Sequence, residues 1–424
     1  MKTPLTTENF LLAAKQSEIN ALKRLMLSSK LVIRVTELIH ELQKERGLSN
    51  SFLVSEGKRF VKERAAEMSM TQSANDAFVE SLELLELKNC GSSTIRLYSS
   101  IAFVLHQLDD LSSFREQVSK QQISTSENTR YFNRLIAGLL SVIFEAADIS
   151  NDPDITRALV GLFNFVQGKE YAGQERAWGV IGFTAGEFNT TIRDQIHALQ
   201  EAQQKCFTIF SEFSKSVPNA LWRQLDETEA TVELGRMRQL ISRLKPEDNL
   251  PTSICEVWYQ ASTVRIDDMQ NIVKQMTEDL LELSQNKITL AEEELRLHKE
   301  QLVTLADYEE PPMSPLTAMD ENEVNTTVNI SQGVNIKLAH SLYDLVQRQA
   351  THLQKVSEEL TAAKQTLNER KLIEKAKGIL MSSQNVNEEQ AYKQLRQAAM
   401  DGNKRIIDIA ENIISVASML RGHV

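Results

Sequence analysis

Leu31, Val35, Leu38 and Leu42 recur at intervals of four, three and four residues, the spacing that draws one apolar stripe down an α-helix. The stripe then runs into "KERG" (44–47), where its next place falls on Glu45 and Arg46 and the one after on Ser49. A guanidinium keeps its proton in a protein, so an arginine steered into a helical core must meet an anion there. The oddity recurs at "QERAWG" (174–179). Leu162, Val166, Gly173, Val180 and Phe183 lie close to one helical phase, and Arg176 lands among them. Six of the fifteen glycines fall between 161 and 186. Each costs about 1 kcal/mol in a helix interior, so their density asks for close helix approach or for room around a small ligand. A third case is "VELGRMRQLISRL" (232–244), where Val232, Arg236 and Leu240 share a face beside Gly235, with Met237 as the alternative inward residue.

Two readings of these arginines stay open on periodicity alone. In one, each pairs with an internal carboxylate, and Glu45 and Glu175 stand beside Arg46 and Arg176. In the other, the arginines converge on a small planar oxyanion from solution, which a guanidinium can bond through two oxygens at once and a lysine cannot.

Glycine (15) and proline (8) are scarce among 424 residues and strand-like alternation is hard to find, so the chain is expected to be all-α. Cys90, Cys206 and Cys255 are far apart and suggest neither a disulfide framework nor a zinc site, which favours a reducing, cytoplasmic setting. The N-terminus lacks a signal-peptide core, and the longest apolar stretch, "IAGLLSVIFEAA" (136–147), is too short to span a bilayer. No membrane association is expected. The net charge of −11 is unevenly spread: residues 336–424 carry +3 and the rest −14. That sign change points to parts with different partners, and the basic part is the one suited to nucleic acid.

Three of the eight prolines cluster in "DYEEPPMSP", inside a stretch without sustained periodicity. Residues 307–335 therefore read as a linker between a helical domain at 1–306 and a smaller one at 336–424. The smaller one opens with a heptad seam of Ala339, Val346, Leu353, Leu360 and Leu367 against Leu342, Gln349, Val356 and Ala363. This is either a coiled coil, and so a route to a homodimer, or a long helix docked on its own chain. Three short helical patterns follow, lined by Ile373, Ala376 and Leu380, by Ala391, Leu395 and Ala398 after a cap at Asn387, and by Ile406, Ala410, Ile413 and Ala417. They suit a small three-helix bundle.

"ELIHELQKERGLSNSFLVSEG" and "YAGQERAWGVIGFTAGEF" resemble the two signature blocks of the NIT domain, a nitrate- and nitrite-sensing helical module. "IEKAKGILM" and "AYKQLRQAAM", in that order, resemble the ANTAR domain, an RNA-binding antitermination module. The resemblance implies a sensor of stacked four-helix bundles that binds nitrate or nitrite, joined to a domain that grips leader-RNA hairpins. It makes Arg46 and Arg176 ligand-binding candidates; Arg236 joins them on its position.

The RNA-binding candidates come from face and charge. Arg370 and Lys377 are seven apart on one face, with Lys371 beside them, and Tyr392 and Arg396 are four apart. An unpaired base can stack on such a ring while basic groups hold phosphates. Lys377, Tyr392 and Arg396 are the leading candidates, with Arg370, Lys371, Lys404 and Arg405 as phosphate contacts.

Glu37 and His40 form an "ExxH" pair of the kind that builds dimetal sites, but His40 is placed some 200° from Leu38 on the helix, facing outward, and no second true pair exists. Walker, dinucleotide and nucleophile-elbow motifs are also missing. The expectation is a regulator without catalysis, metal or cofactor, with nitrate or nitrite as effector and leader mRNA as partner. The alternative is a signalling adaptor whose coil and small bundle bind a protein.

Overall fold

The computed structural model describes residues 7–85, 95–244, 253–306, 336–384, 386, 388–402 and 404–421. The expected linker at 307–335 and the cap at Asn387 lie outside them. Among the described residues the regular structure is helical throughout: α1 (Thr7–Val54), α2 (Val61–Glu83), α3 (Ile95–Asp109), α4 (Leu111–Ser119), α5 (Thr125–Ile149), α6 (Pro153–Ala185), α7 (Thr190–Phe213), α8 (Ser216–Asp226), α9 (Glu229–Arg243), α10 (Ser253–Ala306), α11 (Ile336–Gln384), α12 (Glu388–Asp401) and α13 (Ile406–Arg421).

Local chemistry sets several helix ends. Ser124 and Glu127 form a reciprocal capping box that starts α5. Asp152 caps α6 by accepting from the amides of Asp154 and Ile155, with Pro153 at the first helical position. Gly186 ends α6 in the left-handed region, at φ 73°. Asn189 then caps α7 by accepting from the Ile192 amide.

The long helices α1 and α10 run antiparallel, tied by Lys15 to Glu294 (2.7 Å) and Ser29 to Ser284 (3.4 Å), with Arg59, just past α1, reaching Glu256 (3.1 Å). Helix α6 packs against both, as well as against α5 and α7. The largest core runs through α1, α3, α5, α6 and the later part of α10, and it absorbs the apolar stretch at 136–147 through Ile136, Leu139, Leu140, Val142 and Ile143. Stacked beyond it is a second core of Phe183, Phe188, Ile192, Leu234, Met237 and Trp258, where α6, α7, α9 and α10 meet. These stacked cores match the architecture that the family resemblance implied. None of the described helices is long and apolar enough to cross a membrane.

A third core joins α11, α12 and α13 through Ala376, Leu380, Ala391, Leu395 and Ala410. This is the expected small bundle, with two changes. Its first helix is the continuation of the heptad helix, and Ala399 is the buried residue of α12, with Ala398 exposed. At the end of the heptad seam, Ala363 is fully buried and Leu367 joins the largest core, so this part of α11 docks on its own chain. Leu353, earlier on the seam, is 56% exposed.

Gly179 shows why glycine is used inside α6. A Cβ there would fall 2.1 Å from Cε2 of the buried Trp258, whose Nε1 donates to the Arg176 carbonyl at 3.0 Å. Alanine in place of a helical glycine ordinarily adds about 1 kcal/mol of stability. Here overpacking reverses the sign, and Gly179→Ala should lose about 1–3 kcal/mol in urea unfolding. A gain would mean that the indole is not held where the structure has it.

Candidate anion site and nucleic-acid interface

Arg46 on α1 and Arg176 on α6 are 1% and 4% exposed, so both expected core arginines are in the core. The two helices meet through reciprocal vacancies. A Cβ on Gly173 would stand 2.8 Å from the Arg46 Nη2, and a Cβ on Gly47 would stand 2.8 Å from the Arg176 Nη2. Each guanidinium thus crosses bare backbone on the opposite helix. "ERG" and "GQER" are two halves of one contact.

The two arginines are satisfied unequally. Arg46 donates from Nη1 to Glu170 Oε1 (2.5 Å) and Asn133 Oδ1 (2.5 Å), and from Nη2 to Glu170 Oε2 (3.2 Å). Gln43 and Gln174 each donate to Glu170 as well, at 2.8 Å. Arg176 bonds only neutral groups, Thr263 Oγ1 at 2.9 Å and the Gln43 carbonyl at 3.4 Å, and its guanidinium lies 5.3 Å from the Tyr259 ring centroid. Among the described residues it forms no salt bridge. Burial presses its pKa below the usual arginine value and the nearby Arg46 charge adds to this, while Tyr259, Asp267 and Glu170 oppose it.

The neighbouring carboxylates expected to pair with these arginines do not. Glu45 takes both its bonds from Arg115 (2.8 and 2.7 Å), and Glu175 takes two from Arg238 (2.7 and 2.5 Å) plus one each from Gln200 and Gln203. Adjacent positions on a helix point about 100° apart, so Glu45 and Glu175 face other partners. Arg236 is a correction. It lies on the surface beside Glu233 at 3.0 Å with its side chain 72% exposed, and Met237 is the inward residue. The arginine of α9 that reaches the interior is Arg238, two positions on and half-exposed. Its turn was legible; its phase was off.

His40 is a second correction. It is half-buried, because α1 is packed on several sides at this level, and its Nδ1 lies 3.0 Å from the Lys169 Nζ. Burial and the Lys169 charge push its pKa down to about 2, so the ring is neutral and accepts the bond. Lys169, fully buried, also donates to Gln270 Oε1 at 2.7 Å, and burial lowers its pKa to about 7. The described residues hold no cluster of His, Cys, Asp and Glu arranged for a metal. Glu170 and Lys169 escaped the sequence reading. Their one signal was position, a turn before Gly173 on the same apolar helix.

Of the seven RNA-binding candidates, four turn toward the N-terminal helices. Arg370 donates to Gln167 Oε1 (3.1 Å) and lies 4.5 Å from the Phe163 ring centroid. Lys371 pairs with Asp148, and Arg396 pairs with Glu201 through both nitrogens (2.5 and 2.9 Å). Lys205 reaches the Tyr392 hydroxyl at 3.5 Å. Lys377 is 8% exposed and bonds Glu374 at 2.8 Å. Lys404 and Arg405 are exposed, Arg405 pairing with Asp408 at 3.0 Å.

The family model described as nitrate and nitrite sensing matches residues 37–281, and the ANTAR domain model matches residues 361–414. The first covers more than half of the chain. The chain belongs to the NIT family. A nitrate regulatory protein of Klebsiella oxytoca is 31% identical to this NIT protein over 409 residues, 96% of this chain and 94% of that one. The solved structure of the NasR transcription antiterminator superposes with a TM-score of 0.61 at 28% identity, covering 97% of this chain and 99% of that one.

The unequal arginines of the NIT domain make opposite stability predictions. Arg46→Met strands the buried Glu170 and should cost about 3–5 kcal/mol in chemical denaturation. Arg176→Met removes a charge without a counter-ion and should be neutral or stabilising. Equal losses would show that Arg176 is as fully satisfied as Arg46. The pH dependence is a separate test. Burial brings Lys169 from its ordinary value of 10.5 down to about 7 in the folded chain, so between those limits the unfolded chain holds more protons. Stability should therefore rise with pH across that window and stay at its lower level below it. Melts of Lys169→Met over the same range should lack this part of the rise.

Proposed function

We propose that the chain is a nitrate- or nitrite-responsive transcription antiterminator, with the effector bound between Arg46 and Arg176 and leader-RNA hairpins bound by the ANTAR domain. The observation that carries this is Arg176, a buried guanidinium with no carboxylate bonded to it among the described residues, set against the bare backbone of Gly47. The Arg46–Glu170 pair cancels itself, and Arg176, with Asp267 near but not hydrogen-bonded to it, keeps a positive charge that a monoanion can meet. The K. oxytoca relative and the solved antiterminator support the same reading over nearly the full length.

The route to the ANTAR domain runs along α6. Glu170 is one turn from Gln167, and Phe163 is a turn further, the two residues on which Arg370 is seated. An incoming anion competes with Glu170 for Arg46, and the resulting shift of α6 unseats α11. Lys371, Tyr392 and Arg396 then become free for RNA. This describes an equilibrium, and nitrate moves it only by binding the open form more tightly. Reversing a population from 99:1 takes about 5.5 kcal/mol of differential affinity. At about 1.5 kcal/mol per atom, nitrate supplies about 6 kcal/mol at most. The closed form must then be held by few and modest contacts, consistent with the half-exposed Arg396–Glu201 pair. The exposed Leu353, with half-buried Val356 and Leu360, supports pairing of α11 with a second copy. The regulator acts by binding and carries out no catalysis.

Fluorescence anisotropy with a labelled RNA hairpin tests the scheme. Nitrate should tighten binding by the intact protein and leave Arg176→Met unresponsive. Asp148→Asn combined with Glu201→Gln should tighten RNA binding without nitrate. Affinity should also fall steeply with salt, as phosphate contacts require. A salt-independent interaction, or a normal nitrate response from Arg176→Met, would overturn the reading.

A further inference from the structure

Among the described residues a second buried arginine has nitrogens without a hydrogen-bond partner, away from the anion site. Arg265 on α10 is 5% exposed, and its Nε and Nη1 find no hydrogen-bond partner. Its guanidinium lies 5.6 Å from the Trp222 ring centroid. Burial lowers its pKa to about 10 and the like charge of Arg238 adds to that, while Glu175 and Asp226 oppose it. Glu175 cannot serve it, since Arg238, Gln200 and Gln203 already occupy that carboxylate. Leaving polar nitrogens unpaired in the interior costs free energy that a structural role would not require.

Arg265 lines a cavity of about 490 Å³ between α7, α8, α9 and α10, within the range of small-molecule sites. Its walls add the side chains of Gln204, Thr208 and Thr231, donors and acceptors without charge. Asp226 and Glu212 stand at the exposed mouth. Charge is therefore graded, cationic at the buried end and anionic at the rim. A dianion would meet carboxylates at the mouth, and a bare planar anion would leave most of the volume empty. A zwitterion matches both ends.

We infer that this cavity binds a free α-amino acid, its carboxylate on Arg265 and its ammonium toward Asp226, as a second ligand distinct from the nitrate or nitrite effector. Thr263 and Arg265 are two apart on α10, so the two sites share that helix, and Glu175, next to Arg176 on α6, holds the cavity's Arg238. Occupancy of one bears on the other through that shared backbone.

Calorimetric titration of the full-length protein with the standard L-amino acids, succinate and nitrate tests the assignment. At least one amino acid should bind, and more tightly than succinate. Arg265→Gln should weaken it by about tenfold or more, the loss of one charge-assisted pair. The rim variant Asp226→Asn should weaken the amino acid and not succinate. Nitrate binding retained by both variants shows that they are folded. The inference fails if no amino acid gives heat at millimolar concentration, if succinate binds as well, or if neither variant alters amino-acid binding. Nitrate binding lost in Arg265→Gln yet kept in Arg176→Met would also overturn it, by moving the effector itself into this cavity.

Discussion

The rest of the structure depends on a contact in which two arginines reach across each other's glycine. Arg46 lies over Gly173 and Arg176 over Gly47, so each guanidinium occupies space that a side chain on the opposite helix would take. A buried guanidinium cannot shed its proton, and desolvation makes its charge expensive unless something answers it. Glu170 answers Arg46 and leaves Arg176 with a hydroxyl, a carbonyl and an aromatic face. The asymmetry leaves one helix pair holding a closed ion pair beside a charge that, among the described residues, has no carboxylate bonded to it.

The same helix joins this contact to the far end of the chain. Within about four turns α6 presents Phe163 and Gln167 to Arg370, Glu170 to Arg46, and Gly173 and Arg176 to α1. A displacement of α6 is felt on both sides, because a packed interior has discrete arrangements in place of a continuous give. The pairs Lys371–Asp148 and Arg396–Glu201 tie α11 and α12 to the N-terminal helices, the second of them still partly solvated and so modest in strength.

Much of this was readable from spacing. The all-helical fold, the core position of Arg46 and Arg176, and the three patterns of the C-terminal bundle follow from apolar periodicity. What periodicity cannot supply is the identity of the opposing helix. Glu45 and Glu175 were adjacent in sequence to the arginines and turned elsewhere, while Glu170 came from a position no motif marked. Arg236 and Arg238 are two residues apart, and on a helix with an apolar residue between them either phase fits the pattern; tertiary packing chose Met237. His40 failed for a related reason, since outward on one stripe is inward when α1 is surrounded. Charge and face identified Arg370, Lys371 and Arg396 as a basic surface. That the surface is turned onto the N-terminal helices, Lys371 and Arg396 against carboxylates and Arg370 against Gln167 and Phe163, is a long-range fact with no local signature.

A crystal structure grown with nitrate tests the central claim most directly. The account predicts an anion in hydrogen-bond contact with the Arg176 guanidinium, the Arg46–Glu170 pair opened or lengthened, and α11 displaced from Phe163. An Arg176 still bonded only to Thr263 and the Gln43 carbonyl, with nitrate bound at another place in the chain, would contradict it.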